Sequence, residues 1–86
     1  MLEMLKIDLG ITGNDFNARL NQYIETAQEQ IAQTGITLTN SAADQQLTVM
    51  YAAWLWRKRD SMSGMPRMLK YAINNRLFSE KMKTEV

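Results

Sequence analysis

Apolar residues recur along the chain at the spacing of amphipathic helices, and a glycine or a proline interrupts each series. Three leucines on one face predict a first helix at about residues 2–9, which Gly10 ends. A long amphipathic helix is predicted from Asp15 to Gly35, with Ile36 making a closing hydrophobic contact. Its apolar stripe consists of Phe16, Leu20, Tyr23, Ile24, Ala27 and Ile31.

A third helix is predicted after a short polar connection. Ser41 followed three residues later by Asp44 resembles a capping box with Asp in place of Glu, in which side chains cap the first helical turn. The helix runs into three consecutive cations, Arg57, Lys58 and Arg59, whose charges suit the negative end of a helix dipole. We expect its buried face to consist of Ala43, Leu47, Met50, Tyr51, Trp54 and Leu55.

A fourth helix is predicted to begin at Pro66, because the first helical turn does not need the amide hydrogen that proline lacks. Residues 79–86 are charged and are expected to fray. The apolar positions of this helix are Met65, Met68, Leu69, Ala72, Ile73 and Leu77. The predicted fold class is all-α: a single domain, residues 1–86, in which a small bundle of two long helices is flanked by a short N-terminal helix and a C-terminal helix.

The composition excludes several classes of protein. The chain has 86 residues without cysteine or histidine, so disulfide-stapled scaffolds, zinc fingers and Cys- or His-based catalytic sites are excluded. Its apolar runs are too short to span a membrane, and the charges of Glu3, Lys6 and Asp8 are unlike those of a signal peptide. We therefore expect a cytoplasmic protein whose small core gains stability from neighbouring subunits.

Charge is divided unevenly along the chain. Residues 1–56 carry two basic and six acidic side chains, a net charge of −4, and residues 57–86 carry eight basic and three acidic side chains, a net charge of +5. Complementary halves of this kind suit head-to-tail self-association, or contact between the C-terminal half and a polyanion.

The sequence offers little for catalysis. Glu25 and Glu29 would share a helix face and could form a metal-binding pair, but they lie among glutamines, so a solvated polar face is the favoured interpretation. The glycines are isolated and form no phosphate-binding loop. We expect no enzymatic activity, no cofactor and no bound metal.

Two tryptophans and three methionines are candidates for protein contacts. Trp54 and Trp56 lie about 200° apart around a helix, so we expect one to be buried and the other to lie near the surface. An exposed Trp56 beside the cations would suit a protein interface, and the alternative is that it packs under the first helix or the tail. Met62 and Met65 lie around the break before the fourth helix, where flexible methionines suit an adaptable surface. Core packing is the favoured interpretation for Met65 and Met68.

Basic residues on both sides of this break are candidates for contact with nucleic-acid phosphates, which requires cations and reads no sequence. The candidates, for DNA or for a neighbouring subunit, are Arg57, Lys58, Arg59, Arg67 and Lys70. A helix–turn–helix reader fits poorly, because residues 66–69 offer few side chains suited to base edges.

Three segments resemble the tailed-phage head–tail connector family, small adaptor proteins docked under the portal. They are residues 1–12 with the long helix that follows, residues 51–59 (YAAWLWRKR) and residues 65–79 (MPRMLKYAINNRLFS). The resemblance rests on the order and spacing of these segments and spans nearly the whole chain. Family members usually have an extended loop between the third and fourth helices, which here has shrunk to about residues 61–64.

The resemblance implies a structural virion protein, assembled in the host cytoplasm and located at the head–tail interface. Such an adaptor would form a ring of its own copies on the portal protein, expected to be a dodecamer, extend the DNA channel and dock the tail-side connector or stopper protein. It would touch genomic DNA without sequence preference and would not contact membrane. The five cations would then face DNA or neighbouring subunits, and Trp56, Met62 and Met65 would contact protein. The alternative function is a small helical DNA-binding or regulatory accessory protein.

Overall fold

The structure, a computed structural model, describes residues 1–59 and 64–84. These residues form four helices and no strand: α1 (Leu2–Leu9), α2 (Asn17–Gln33), α3 (Ala42–Lys58) and α4 (Arg67–Thr84). The all-α prediction is therefore confirmed. No helix within the described ranges is both long and apolar enough to cross a membrane.

Gly10 ends α1 as the sequence predicts. Its φ of +73° is in the left-handed region that favours glycine, and its N–H donates to the carbonyl of Ile7 at 3.2 Å. The second helix begins at Asn17, slightly later than the predicted start at Asp15, because a turn closed by a hydrogen bond from the Asn17 N–H to the Asn14 carbonyl precedes it.

The end of α2 also follows the sequence prediction. The Thr34 hydroxyl donates to the carbonyl of Ile31 at 2.6 Å, and Gly35 adopts a φ of +108°. Ile36 is then buried in the core with 2% of its surface exposed. The glycine therefore lets the chain turn back so that the next apolar side chain closes the end of the helix.

Ser41 caps α3, but the capping box differs from the predicted one. The Ser41 hydroxyl oxygen accepts the Asp44 N–H at 3.2 Å. The Asp44 carboxylate accepts the backbone N–H and the hydroxyl of Thr39 at 2.8 and 2.9 Å, and the Thr39 hydroxyl oxygen accepts the Ser41 N–H at 3.2 Å. Thr39 therefore stands between the two residues and leaves one oxygen of Asp44 for a partner outside the helix.

The third helix is the centre of the fold, because α1, α2 and α4 all pack against it. For that reason its buried residues do not form the single face that the sequence predicted. Ala43 is exposed, and three other predicted positions, Met50, Trp54 and Leu55, are only half-buried. The buried hydrophobic residues of α3 are Leu47, Val49, Tyr51, Ala52, Ala53 and Trp56.

The fourth helix packs on α3 through Leu69 and Ile73, which are 2% and 9% exposed. It begins one residue after the predicted Pro66, whose carbonyl accepts the N–H of Lys70 at 3.0 Å. Proline therefore occupies the capping position just before the first helical residue.

The helix α4 continues through Thr84, and the fraying expected for residues 79–86 stays a prediction. Arg76 and Glu80, one turn apart, form an ion pair at 2.8 Å that stabilises this part of the helix.

The molecule is elongated: its long dimension is 46 Å, whereas the other two are 27 and 18 Å. Residues 77–84 add about 12 Å of helix beyond Arg76.

Candidate functional site

Arg57, the first of the three consecutive cations, ties α3 to the end of α1. One guanidinium nitrogen donates to the carbonyl oxygen of Asp8 at 3.2 Å and lies 3.5 Å from its carboxylate. Both side chains are largely exposed, 60% and 44%, so water and salt weaken this ion pair and its stabilisation is modest. The contact also places a cation at the negative end of the α1 dipole.

Lys58 and Arg59 lie over the two tryptophans. The Lys58 amino nitrogen is 4.7 Å from the centroid of the Trp54 ring, and the central carbon of the Arg59 guanidinium is 3.8 Å from that of Trp56. Cation–π contacts of this kind position the two charges. Both cations remain exposed at the surface, where their charge can act on an anion.

The other two predicted cations, Arg67 and Lys70, lie in the first turn of α4 and are exposed. Lys70 lines a cavity with Tyr51 on one side of α4, whereas Lys58 lines a cavity on the opposite side. The structure thus brings the five cations to the same end of the bundle, but it distributes them around that end. A single flat anionic surface would therefore contact only some of the five cations.

Trp56 is buried, with 9% of its surface exposed. Its ring makes edge-to-face contacts with Phe16 and Tyr23, both at a centroid distance of 5.6 Å. The interpretation of an exposed Trp56 is therefore wrong for the protomer, and the covering side chains come from the start of α2 rather than from α1 or the tail. Its role in protein contact stays a prediction. Trp54 is the half-buried tryptophan of the pair.

The methionines around the break have different surroundings. Met65 is half-buried and packs against the core, whereas Met68 is 73% exposed. The core interpretation is thus wrong for Met68, because the first turn of α4 directs this side chain away from Leu69 and the core. Met62 lies outside the described residues.

Asp44 and Arg76 form a buried polar cluster that sequence reasoning missed. The Arg76 Nε donates to Asp44 at 2.7 Å, and the other guanidinium nitrogens donate to the Thr37 carbonyl and to Glu80, both at 2.8 Å. The hydrogen bond from Arg76, with help from Thr39 and against burial, lowers the pKa of Asp44 to about 2. The hydrogen bonds to Asp44 and Glu80 raise the pKa of Arg76. The four-residue spacing of Arg76 and Glu80 is the sequence signal that indicates part of this cluster, namely the ion pair within α4.

The outer side of α4 presents large apolar side chains to solvent. Tyr71, Phe78 and Met82 are 57%, 65% and 55% exposed. At 3.6 residues per turn they lie within about 40° of the helix circumference, and we call them the α4 ridge. Sequence reasoning assigned nothing to them, although their spacing of seven and four residues marks a second apolar stripe on the side of α4 opposite the buried one.

A trough runs along α3 between α1 and α4. It consists of three adjoining cavities of about 420, 440 and 260 Å³. Met50 is common to the first two, Asp8 links the first and third, and Gln46 links the second and third. The floor belongs to α3, and the walls carry Ile7 of α1 and Met68 of α4. This mainly apolar trough suits protein contact better than chemistry on a small molecule.

A family model described as phage gp6-like head-tail connector protein matches residues 1–75. The chain belongs to this family. The resemblance inferred from the sequence is thus confirmed. Comparisons with curated proteins and with solved structures gave no match.

In this head–tail connector the family match covers α1, α2, α3 and the first half of α4. Two of the three ridge residues, Phe78 and Met82, lie beyond the matched segment. The ridge therefore extends past the part of the connector that the family describes.

Glu25 and Glu29, for which a solvated polar face is the favoured interpretation, lie on the exposed side of α2 in this connector. Within the described part of the chain, no group of three or more acidic side chains could hold a metal ion. The family is a structural one. The exposed cations and the exposed apolar surfaces of this chain are therefore the features that we relate to its function.

Proposed function

We propose that this connector assembles as a ring of identical subunits under the portal, extends the DNA channel and docks a tail-side protein. The observation that carries the proposal is the family match over residues 1–75. The ring is expected to be a dodecamer that matches the portal, located at the head–tail interface of the virion after assembly in the host cytoplasm. The subunit acts as a structural component and not as an enzyme.

The cations at the end of α3 and the start of α4 support contact with DNA in the channel. Arg57, Lys58, Arg59, Arg67 and Lys70 are all exposed, and they are distributed around one end of the bundle. Contacts between cations and phosphates carry no sequence information. A channel lined in this way attracts DNA while still letting it slide, as genome exit requires.

Exposed apolar surfaces support contacts with portal, neighbouring subunits and tail-side protein. The ridge and the trough expose large apolar side chains. Exposure of such side chains to water does not stabilise a monomeric protein, so these surfaces suit contact with another protein. Among the methionines, Met65 borders the cavity that also holds Lys70, so it is available for contact at the same end as the cations.

Deletion of the gene in its native phage, followed by negative-stain microscopy of the lysate, tests the proposal. Separate heads and tails with poorly retained genomes are expected, and a plasmid copy of the wild-type gene should restore joined particles. Normal virions from the deletion strain would contradict the proposed function, whatever the assembly state of the purified protein.

A further inference from the structure

We infer that the α4 ridge of this connector docks into an apolar groove, rimmed by carboxylates, on another protein of the virion. The inference rests on the proposed function, because it names the surface and the partner chemistry for one of the contacts that this function requires. The partner is a protein other than this chain.

The ridge cannot be buried within its own protomer. The opposite side of α4 is held against the bundle by Leu69 and Ile73 and by the ion pair between Arg76 and Asp44. Rotation of the helix to bury the ridge would break all of these contacts. Four of the seven exposed large hydrophobic side chains in the described ranges belong to α4, which makes this helix the main apolar surface left for a partner.

The ridge has the form of a helix that binds in a groove. Tyr71, Phe78 and Met82 lie seven and four residues apart on the outer side of α4 and span about 17 Å, which is about three helical turns. Helices that bind in protein grooves present their apolar side chains along one side in this way. Because the ridge is convex, its partner must supply the concave surface.

Cations flank the ridge on one side. Around the helix, Arg67 lies about 40° from Tyr71, and Lys81 lies about 80° from it in the same direction. Both cations are exposed. The one acidic residue of α4, Glu80, lies on the opposite side of the helix, where its carboxylate accepts a hydrogen bond from Arg76. A groove with carboxylates along one rim therefore complements both the apolar side chains of the ridge and the charges beside it.

A second copy of this chain complements the ridge poorly. Arg57 and Lys58 line the first cavity of the trough, and two of the carboxylates in the trough, those of Asp8 and Asp44, already accept hydrogen bonds from cations of their own chain. The exposed glutamates of α2 lie among glutamines on a polar side of that helix. Pairing of two ridges would bring their cationic flanks together.

Duplex DNA also complements the ridge poorly. Its phosphates would attract the flanking cations but would leave the aromatic and methionine side chains of the ridge exposed to water. Burial of these side chains in an apolar groove adds binding free energy that contact with phosphates does not supply. The ridge therefore suits a protein partner.

Photo-cross-linking in the virion tests the identity of the partner. The photoreactive amino acid p-benzoylphenylalanine replaces Phe78 or, as the matched control, Gln22 on the exposed face of α2, in connector supplied to the deletion phage. Illuminated virions should show at least fivefold more linkage to another virion protein from position 78. Mass spectrometry should find large apolar and acidic residues together in the linked segment.

The same experiment can contradict the inference in several ways. Equal yields from the two positions would overturn it. A dominant link to a second copy of this chain, to DNA or to a segment without acidic residues would also overturn it.

Substitutions test the contact without a cross-linker. Phe78→Glu and Arg67→Glu, both at exposed positions, should each lower the rescue of the deletion phage at least tenfold, while the purified variants sediment like the wild-type protein. Phe78→Leu, which keeps the site apolar, and Arg19→Glu, which makes the same charge change on the exposed face of α2, are the matched controls and should rescue fully.

The outcomes separate the inference from the proposed function. Full rescue by Phe78→Glu or Arg67→Glu, or an altered assembly state of either purified variant, would overturn the inference. If the deletion itself separates heads from tails, the proposed function stands in each of these cases. A deletion with normal virions would instead overturn the proposed function.

Discussion

The guanidinium of Arg76 lies 2.7 Å from the carboxylate of Asp44, although 32 residues separate the two in the chain. The same carboxylate holds Thr39, and the same guanidinium reaches the carbonyl of Thr37. One ion pair therefore fixes α4, the start of α3 and the connection between α2 and α3 relative to one another. The direction in which the ridge faces depends on this contact.

Acid should destabilise the protein through Asp44. The folded-state pKa of Asp44, about 2, lies below its ordinary value of 3.8. The resulting stability is therefore complete above about pH 4 and is lost as the pH falls toward about 2. The difference amounts to about 2 kcal/mol. Urea unfolding between about pH 5 and pH 2 should show this loss in the wild-type protein and a smaller one in Asp44→Asn.

Asp15→Asn is the matched control for the pH series, because Asp15 is exposed. This variant should follow the wild-type pH dependence of the free energy of unfolding. If Asp44→Asn also follows it, the ion pair between Asp44 and Arg76 is not the source of the acid sensitivity.

Arg76→Met should be among the more destabilising single substitutions. It leaves the Asp44 carboxylate buried, with 3% of its side chain exposed, and without its cation. The expected cost is about 3–5 kcal/mol, and the double variant with Asp44→Asn should recover part of it. A double-mutant cycle of urea unfolding measures the coupling. Arg67→Met, at an exposed position of the same helix, should change stability by less than about 0.5 kcal/mol.

Local signals were sufficient to predict the helices, but not the surfaces that α4 presents. Gly10 and Ser41 act within four residues of their own positions, so their roles follow from the sequence around them. The burial of Trp56 depends on how α2 crosses α3, and the partner of Arg76 depends on where α4 lies. The exposed Tyr71 shows the same limit, because a helix with two apolar stripes does not reveal which one faces the core.

Trp56→Ala should destabilise the protomer itself. The buried ring contacts Phe16 and Tyr23 and lies under Arg59, so its removal should cost about 3–5 kcal/mol. Urea unfolding of the purified protein measures this cost, and Trp54→Ala, at the half-buried position, should cost less. A Trp56→Ala protein of wild-type stability that fails only in assembly would instead make Trp56 an interface residue.

Replacing Arg57, Lys58 and Arg59 together with glutamine should weaken DNA retention and leave assembly intact. If the three cations contact phosphates, the slope of log K against log salt for duplex binding should fall by up to about 3. Arg19→Gln on the exposed face of α2 is the control and should not change the slope. Loss of assembly in the triple variant would make these cations subunit contacts. Wild-type protein should bind duplexes of different sequence equally, whereas a regulator would prefer one of them.

Salt should weaken the association of subunits if the acidic and basic parts of the chain pair between neighbours. Exposed charges are screened over about 10 Å at 0.1 M salt and over about 3 Å at 1 M salt, so the dissociation constant should rise steeply across that range. Sedimentation of the purified protein at increasing salt measures this change. Lys70→Gln, which removes a cation beside the ridge, should flatten the dependence, whereas Arg19→Gln should not. Assembly that is indifferent to salt up to molar concentration would contradict charge pairing between subunits.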